Sequence, residues 1–390
     1  MNIKELKKMF FTHYGEKEGE EVIFFAPGRV NLIGEHTDYN NGYVLPCALS
    51  FGTYLVVRKT REKVVSFRSA NFPDSFTIPL EQLQEKRIGE WVNYPLGVID
   101  QLRNYGLAFN GGLELLYSGN IPPAAGLSSS ASIELVTAVA LDELFSLGID
   151  RVEMVRLCRR AENEFVGVNC GIMDQFIVGK ARRNSALFLN CGTLQYVHVP
   201  FVLHDHRLII INSNKERKLA DSKYNERVKE CQAAVDAFQQ IRRLGSLGEL
   251  SLETFQEQCF VIKDPVVLKR ARHVVSENRR VLEAVKALMN KQLETFGQLM
   301  IESHYSLRDD YEVTGPELDA LVEAALSVEG TVGARMTGAG FGGCTVNIVR
   351  NDAVDRFMEI VKDIYFEKTG LKAEFYLPEI AGGARKLDPA

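Results

Sequence analysis

Four stretches carry residue types that could do chemistry. In Arg29-Val30-Asn31-Leu32-Ile33-Gly34-Glu35-His36-Thr37-Asp38 a cation is followed by a run of acceptors and a donor. A carboxylate can accept two hydroxyl hydrogen bonds, so the Glu35-His36-Thr37-Asp38 cluster suits a ligand rich in hydroxyl groups, such as a sugar. Without the residues before it, the same cluster reads as a polar turn ahead of Asn40-Asn41-Gly42.

The second stretch is Gly126-Leu127-Ser128-Ser129-Ser130-Ala131-Ser132, a small-residue loop ahead of a helix-periodic run. A helix start offers unpaired backbone N–H groups and the positive end of the helix dipole, and small residues let phosphate oxygens approach. One or two serines would suffice as caps, so three in succession point to an anion cradle. No Gly-Lys-Ser/Thr follows, which disfavours a P-loop NTPase. The third stretch, Gly338-Ala339-Gly340-Phe341-Gly342-Gly343, matches the letters of the dinucleotide fingerprint but leads into the strand-like Cys344 to Val349 rather than a helix. It reads instead as a permissive loop lying against the phosphate cradle or another backbone. Fourth, Asp174 stands among apolar neighbours in Cys170-Gly171-Ile172-Met173-Asp174-Gln175-Phe176, as a helix cap or a partly buried functional acid. Beside Arg29 it would stay ionised and pair a proton acceptor with a cation for phosphoryl charge.

The elements that must hold these stretches read as follows. An N-terminal surface helix, Met1 to Tyr14, puts Ile3, Leu6, Met9 and Phe10 on one face. Val22 to Ser69 is strand-like, including Tyr54 to Val57 and Val64 to Phe67, and Leu113 to Tyr117 is a further strand. Helices are expected over Ile133 to Leu147 and over 151–166, with 170–178 a loop leading into another element. Strands resume from Ser185 to Val202 and at Leu208 to Asn212, followed by polar helices from about Ser222 to Ala325. Gly333 opens a Gly-rich loop ahead of the strand Cys344 to Val349, then come a helix from Ala353 to Thr369 and a strand near Ala373 to Leu377. No repeat or linker is visible, and the expected boundary near residue 200 gives domains 1–200 and 201–390.

A chain of 390 residues exceeds what one core usually organises, which fits two domains. The net charge of −5 argues against a nucleic-acid partner. No run of apolar residues is long enough for a membrane span, and no signal-peptide core is present. Seven scattered cysteines without Cys-x-x-Cys spacing suit reduced thiols in a cytoplasm. His204-Asp205-His206 reads as a polar turn rather than a metal site.

Three separated motifs carry a family resemblance: Ala26-Pro27-Gly28 with the Arg29–Asp38 stretch, the Gly126–Ser132 loop, and Met336-Thr337 with the glycine loop and Cys344-Thr345. With them the sequence resembles the galactokinases of the GHMP small-molecule kinase superfamily over nearly its whole length. The first motif is the most specific; the other two are shared more loosely with mevalonate and homoserine kinases. The resemblance implies an α+β (mixed α/β) fold of two domains, the first like ribosomal protein S5 and the second ferredoxin-like, in a monomer or weak homodimer. It implies transfer of the ATP γ-phosphoryl group to the C1 hydroxyl of α-D-galactose. By position Asp174 resembles the catalytic base and Arg29 the transition-state stabiliser. Glu35, His36, Thr37, Asp38, Gly171, Asp174 and Tyr224 would hold the sugar. Ala124, Ala125, Gly126, Leu127, Ser128, Ser129 and Ser130 would wrap the phosphates, Ser130 and Glu162 would ligate Mg²⁺, and Ser69, Trp91 and Tyr94 would meet adenine.

One departure stands out. The family's second motif has glycine where this chain has Ala124, after Pro122-Pro123. A required positive φ would strain alanine by roughly 1 kcal/mol, whereas a requirement for smallness alone would not, and the second is expected. Two rival readings are a kinase for N-acetylgalactosamine or a related sugar, and a non-catalytic galactose sensor. Sensor relatives lose the Ser-Ala pair that Ser130-Ala131 retains here.

Overall fold

The computed structural model describes residues 3–387 except 88, 124 and 216–219, so Ala124 lies outside the described residues. The first half begins with α1 (Ile3–Tyr14) and the strands β1 (Val22–Asn31), β2 (Tyr43–Val44), β3 (Pro46–Thr60), β4 (Val64–Ser69) and β5 (Phe76–Pro79). It continues with α2 (Asn93–Arg103), β6 (Gly112–Gly119), α3 (Ser129–Phe145), α4 (Arg151–Arg160), α5 (Met173–Lys180), β7 (Ser185–Asn190) and β8 (Tyr196–Pro200). Beyond residue 200 come β9 (His206–Asn212), α6 (Ala220–Phe238), α7 (Leu252–Gln258), α8 (Pro265–Met289), α9 (Leu293–Ser306) and α10 (Gly315–Leu326). The chain closes with β10 (Thr331–Thr337), β11 (Cys344–Arg350), α11 (Val354–Thr369), β12 (Glu374–Tyr376) and β13 (Arg385–Leu387).

The strands form a six-stranded sheet in the order β13-β1-β3-β6-β4-β5, a four-stranded sheet β10-β11-β9-β12, and a small sheet β2-β7-β8. Helix α1 buries Leu6, Phe10 and Tyr14 against Ile23, Val56 and Leu116 on one face of the large sheet. The opposite face packs on α2, α3, α4 and α5 in one core. Helix α3 is buried on nearly every side from Ala131 to Leu141, which suits an apolar helix enclosed by protein. It starts at Ser129, earlier than the expected Ile133, and includes Ser132 without penalty because that hydroxyl donates to Ala26 O at 2.8 Å.

Strand β9 shows how the second sheet is sandwiched. Leu208 and Ile210 face one core, and Ile209 and Ile211 face another. The period-two alternation thus places apolar side chains on both surfaces, as a strand covered on both sides requires. The first of these cores also contains Val30, Leu32, Leu45 and Leu127, so apolar packing runs continuously between the two halves. Strand β10 corrects the expected loop. Only 338–343 is loop, because Arg335, which breaks the apolar pattern, is wholly buried with its guanidinium on Asn31 O and Glu35. Strand β13 lies far along the chain yet pairs with β1 through Ile23↔Leu387, Phe24↔Lys386 and Phe25↔Arg385. Among the described residues no helix is long and apolar enough to cross a membrane.

Candidate active site

Arg29 is aimed by an irregularity in β1. The pairing of β1 with β3 slips between Pro27 and Arg29, a bulge that admits a proline into a central strand and redirects the side chain after it. Gly28 is required there, since a Cβ would stand 2.7 Å from Leu127 O in the phosphate-loop candidate. The two segments are also joined by Arg29 N donating to Leu127 O at 3.1 Å and Arg29 Nη1 donating to Gly126 O at 2.7 Å. Gly126 and Ser128 both have positive φ, so the loop turns sharply before α3 begins.

The rest of the Arg29 guanidinium forms a fork on Asp174: Nε donates to Oδ1 and Nη2 to Oδ2, each at 2.8 Å. Ser128 Oγ donates to the same Oδ2. Asp174 sits in the first turn of α5, where a carboxylate also complements the helix dipole. Arg29 and Asp174 are thus in direct contact.

A cavity of about 310 Å³ is lined by this pair together with Glu35, His36, Asp38, Gly171 and Tyr224. Asp38 has its acidity reduced, with its pKa pushed up to about 6, first by burial and then by the nearby Asp174 carboxylate. Gly171 makes room for it, because a Cβ would lie 1.9 Å from Asp38 Oδ2. Tyr224, from α6, closes the cavity from the second half, its ring 5.8 Å from that of His36 and 5.2 Å from that of Tyr39. His36 takes a positive φ and has both ring nitrogens engaged, Nδ1 with Tyr39 OH at 2.9 Å and Nε2 with Ala339 O at 3.2 Å. Burial pulls its pKa down to about 3, so it is a neutral wall near pH 7.

Glu35 is held entirely from within the protein. Its Oε1 accepts from Gly338 N at 2.7 Å and Thr337 Oγ1 at 3.0 Å, and its Oε2 from Asn31 Nδ2 at 2.7 Å. Thr37 is fully buried behind the cavity and donates to Gly34 O and Tyr43 O. The expected sugar cluster therefore divides into Asp38, which faces the cavity, and neighbours that build its wall.

A second cavity, about 480 Å³, gathers Ser69, Trp91 and Tyr94 with Phe72, Ser129 and Ser130. Its wall is largely aromatic and apolar, and Trp91 Nε1 is buried there without a partner, which suits a flat heteroaromatic ring. The Ser130 hydroxyl neighbours the buried Glu162 carboxylate, whose pKa is raised chiefly by burial. Glu162 lies on a π-helical turn, Ala161–Val166, that continues α4. A hydroxyl beside a buried carboxylate is a donor set that fits Mg²⁺, an ion that binds through few protein oxygens and keeps its phosphate and water ligands.

Several lining residues escape a reading of the sequence. Asn169, Cys170, Met173, Gly338 and Ala339 all border the first cavity. The glycine loop therefore reaches the sugar-sized cavity as well as the cradle, where a Cβ on Gly338 would be 3.7 Å from Gly126 O. Buried Gln175 also meets Glu162, and buried Glu134 meets Gln175 in turn. Their one sequence signal is a polar residue inside an otherwise apolar helical run.

A sugar-sized cavity lined by an arginine–carboxylate fork, and a second, largely apolar cavity lined by serines of the adjoining glycine-serine loop, are the parts of a small-molecule kinase. The models for the GHMP kinases N terminal domain and the GHMP kinases C terminal match residues 93–180 and 284–367. The chain belongs to the galactokinase family: the galactokinase galactose-binding signature matches residues 8–59. It is 51% identical to a galactokinase of Clostridium acetobutylicum over 99% of this chain and 98% of that one. A galactokinase of Clostridium beijerinckii is likewise 51% identical, over 99% of each chain. The crystal structure of Lactococcus lactis galactokinase complexed with galactose matches with a TM-score of 0.95 at 45% identity, covering 99% of this chain and 100% of that one. The expected two-domain GHMP kinase fold of mixed α/β type is borne out.

Proposed function

We propose that this ATP-dependent sugar kinase transfers the γ-phosphoryl group of ATP to the C1 hydroxyl of α-D-galactose, giving galactose 1-phosphate and ADP. The observation that carries this reading is the Arg29–Asp174 fork, which lines the sugar-sized cavity and is bonded to the phosphate-loop carbonyl of Gly126. Phosphoryl transfer asks a protein mainly to position groups and to neutralise charge. An ionised carboxylate has about four acceptor sites. Arg29 and Ser128 occupy three on Asp174, leaving one on Oδ1 for the acceptor hydroxyl. Asp174 would orient that hydroxyl and take its proton as the O–P bond forms. Arg29 would hold Asp174 in place and stabilise charge on the travelling group.

Asp38 would accept sugar hydroxyls, with Gly171 and Tyr224 shaping the cavity and Glu35, His36 and Thr37 supporting its wall. Residues 124–130 would wrap the phosphates, and Ser69, Trp91 and Tyr94 would border adenine. Ser130 and Glu162 would hold Mg²⁺, which when bound neutralises the phosphate oxygens. Galactose is preferred over N-acetylgalactosamine because the galactose-binding signature spans the cavity-forming segment. The presence of both Asp174 and Arg29 argues against a sensor. We place the reaction in the cytoplasm, in keeping with cysteines that form no disulfide among the described residues, and take 1–200 and 201–390 as the two functional halves.

The test is phosphate transfer from labelled ATP across a sugar panel, with Asp174→Asn as control. Galactose should lead, and the variant should lose at least about 10²-fold in kcat, as expected for a proton acceptor. Wild-type turnover in a folded Asp174→Asn protein would remove the role given to that carboxylate.

A further inference from the structure

Behind the proposed cation ligands, three helical segments converge on one side chain. Gln175 in α5 is fully buried, and its Nε2 donates to Glu162 Oε2 at 2.5 Å and to Glu134 Oε2 at 3.1 Å. Glu134, from α3, is fully buried as well. Cys170 Sγ approaches the same Glu162 Oε2 at 3.4 Å, so that oxygen is held from two sides. Its partner Oε1 is the oxygen that neither Gln175 nor Cys170 holds. Glu134 Oε1 and Gln175 Oε1 are buried without partners. Two carboxyl groups and an amide in this core are costly, and apolar side chains of similar size would pack at least as well. Such a group is better explained by what it orients than by stability.

Resting on the reading of Ser130 and Glu162 as cation ligands, we infer that Gln175, braced by Glu134, is a positioning residue that sets the orientation of the Glu162 carboxylate for the divalent cation. Gln175 directly follows Asp174 in α5, so one helix turn carries both the group that faces the acceptor hydroxyl and the group that aims the cation ligand. Outer partners of this kind typically contribute about 10- to 100-fold in metal affinity or activity. The galactose cavity does not include Gln175 or Glu134 among its lining residues, so sugar binding should be spared.

The experiment compares Gln175→Met, Glu134→Gln and Glu162→Gln with the wild-type enzyme. For each, the Mg²⁺ concentration giving half-maximal turnover and the galactose KM are measured. Mn²⁺ affinity in the presence of ADP is read separately by electron paramagnetic resonance. Gln175→Met should raise both the half-saturating Mg²⁺ and the Mn²⁺ Kd about 10- to 100-fold, with galactose KM within about twofold of wild type. Glu134→Gln should shift the same two quantities in the same direction by less, and it decides the matter if Gln175→Met does not fold. Unchanged metal dependence in folded Gln175→Met or Glu134→Gln, while Glu162→Gln shifts it, overturns the inference alone. A parallel rise in galactose KM would also overturn it, by making the role merely structural. If Glu162→Gln leaves metal dependence unchanged, the cation-ligand reading falls and the inference with it.

Discussion

Asp38 and Gly171 show what single residues decide. The Asp38 pKa, about 6, lies above the usual carboxylate value, so between the two the folded chain keeps a proton that the unfolded chain has released. That stabilisation is complete below the unfolded value and is lost as pH rises through about 6. A sugar hydroxyl donating to Asp38 favours the charged form, so galactose binding should weaken by up to roughly tenfold per pH unit below pH 6. Calorimetric titration from pH 5 to 8 should show this slope in the wild type and none in Asp38→Asn. His36, held neutral, adds nothing in that range. In Gly171→Ala the new Cβ collides with Asp38 Oδ2 at 1.9 Å. Loss of one charge-assisted hydrogen bond should raise galactose KM roughly 10- to 100-fold, leaving ATP KM near wild type in steady-state kinetics. The sequence marked most of these residues by type, but not their contacts. Arg29 and Asp174 are 145 positions apart, and nothing local in either neighbourhood announces the fork. Thr37 shares the composition of a sugar cluster while serving the turn behind it.

At the scale of elements, the site depends on irregular backbone: the β1 bulge, the sharp loop before α3 and the π-helical turn bearing Glu162. Such features are frequent where a strand or helix must aim a side chain. Gly28→Ala tests the first. Its Cβ would press on Leu127 O at 2.7 Å, and even an ångström of displacement should cost about 10²-fold in kcat, with galactose affinity retained by calorimetry. Regular elements were legible from periodicity, as α1, β4, β9 and α11 show. Strand β10 was not, because Gly333 and Arg335 interrupt its pattern and only a partner in the other half explains a buried guanidinium.

Across the whole molecule, that guanidinium ties the halves together. Arg335 and Glu35 are both buried, and Glu35 also receives Thr337 and Gly338 from β10 and the loop after it. Glu35→Ala would remove the buried ion-pair partner of Arg335, costing ~3–5 kcal/mol. Chemical denaturation should show that loss in a single transition shared by both halves, since apolar packing is continuous between them. The sequence placed a boundary near residue 200 but could not reveal that the large sheet recruits β13 from beyond it, because strand partners so distant leave no local pattern.

That recruitment bears on how the chain is made. During synthesis, the stretch Ile23–Phe25 emerges more than three hundred residues before its neighbour Arg385–Leu387. Until then the outer edge of β1 remains open to pairing with other nascent chains, a hazard of unpaired edges. The strand that carries Arg29 is therefore made long before its outer edge is sealed.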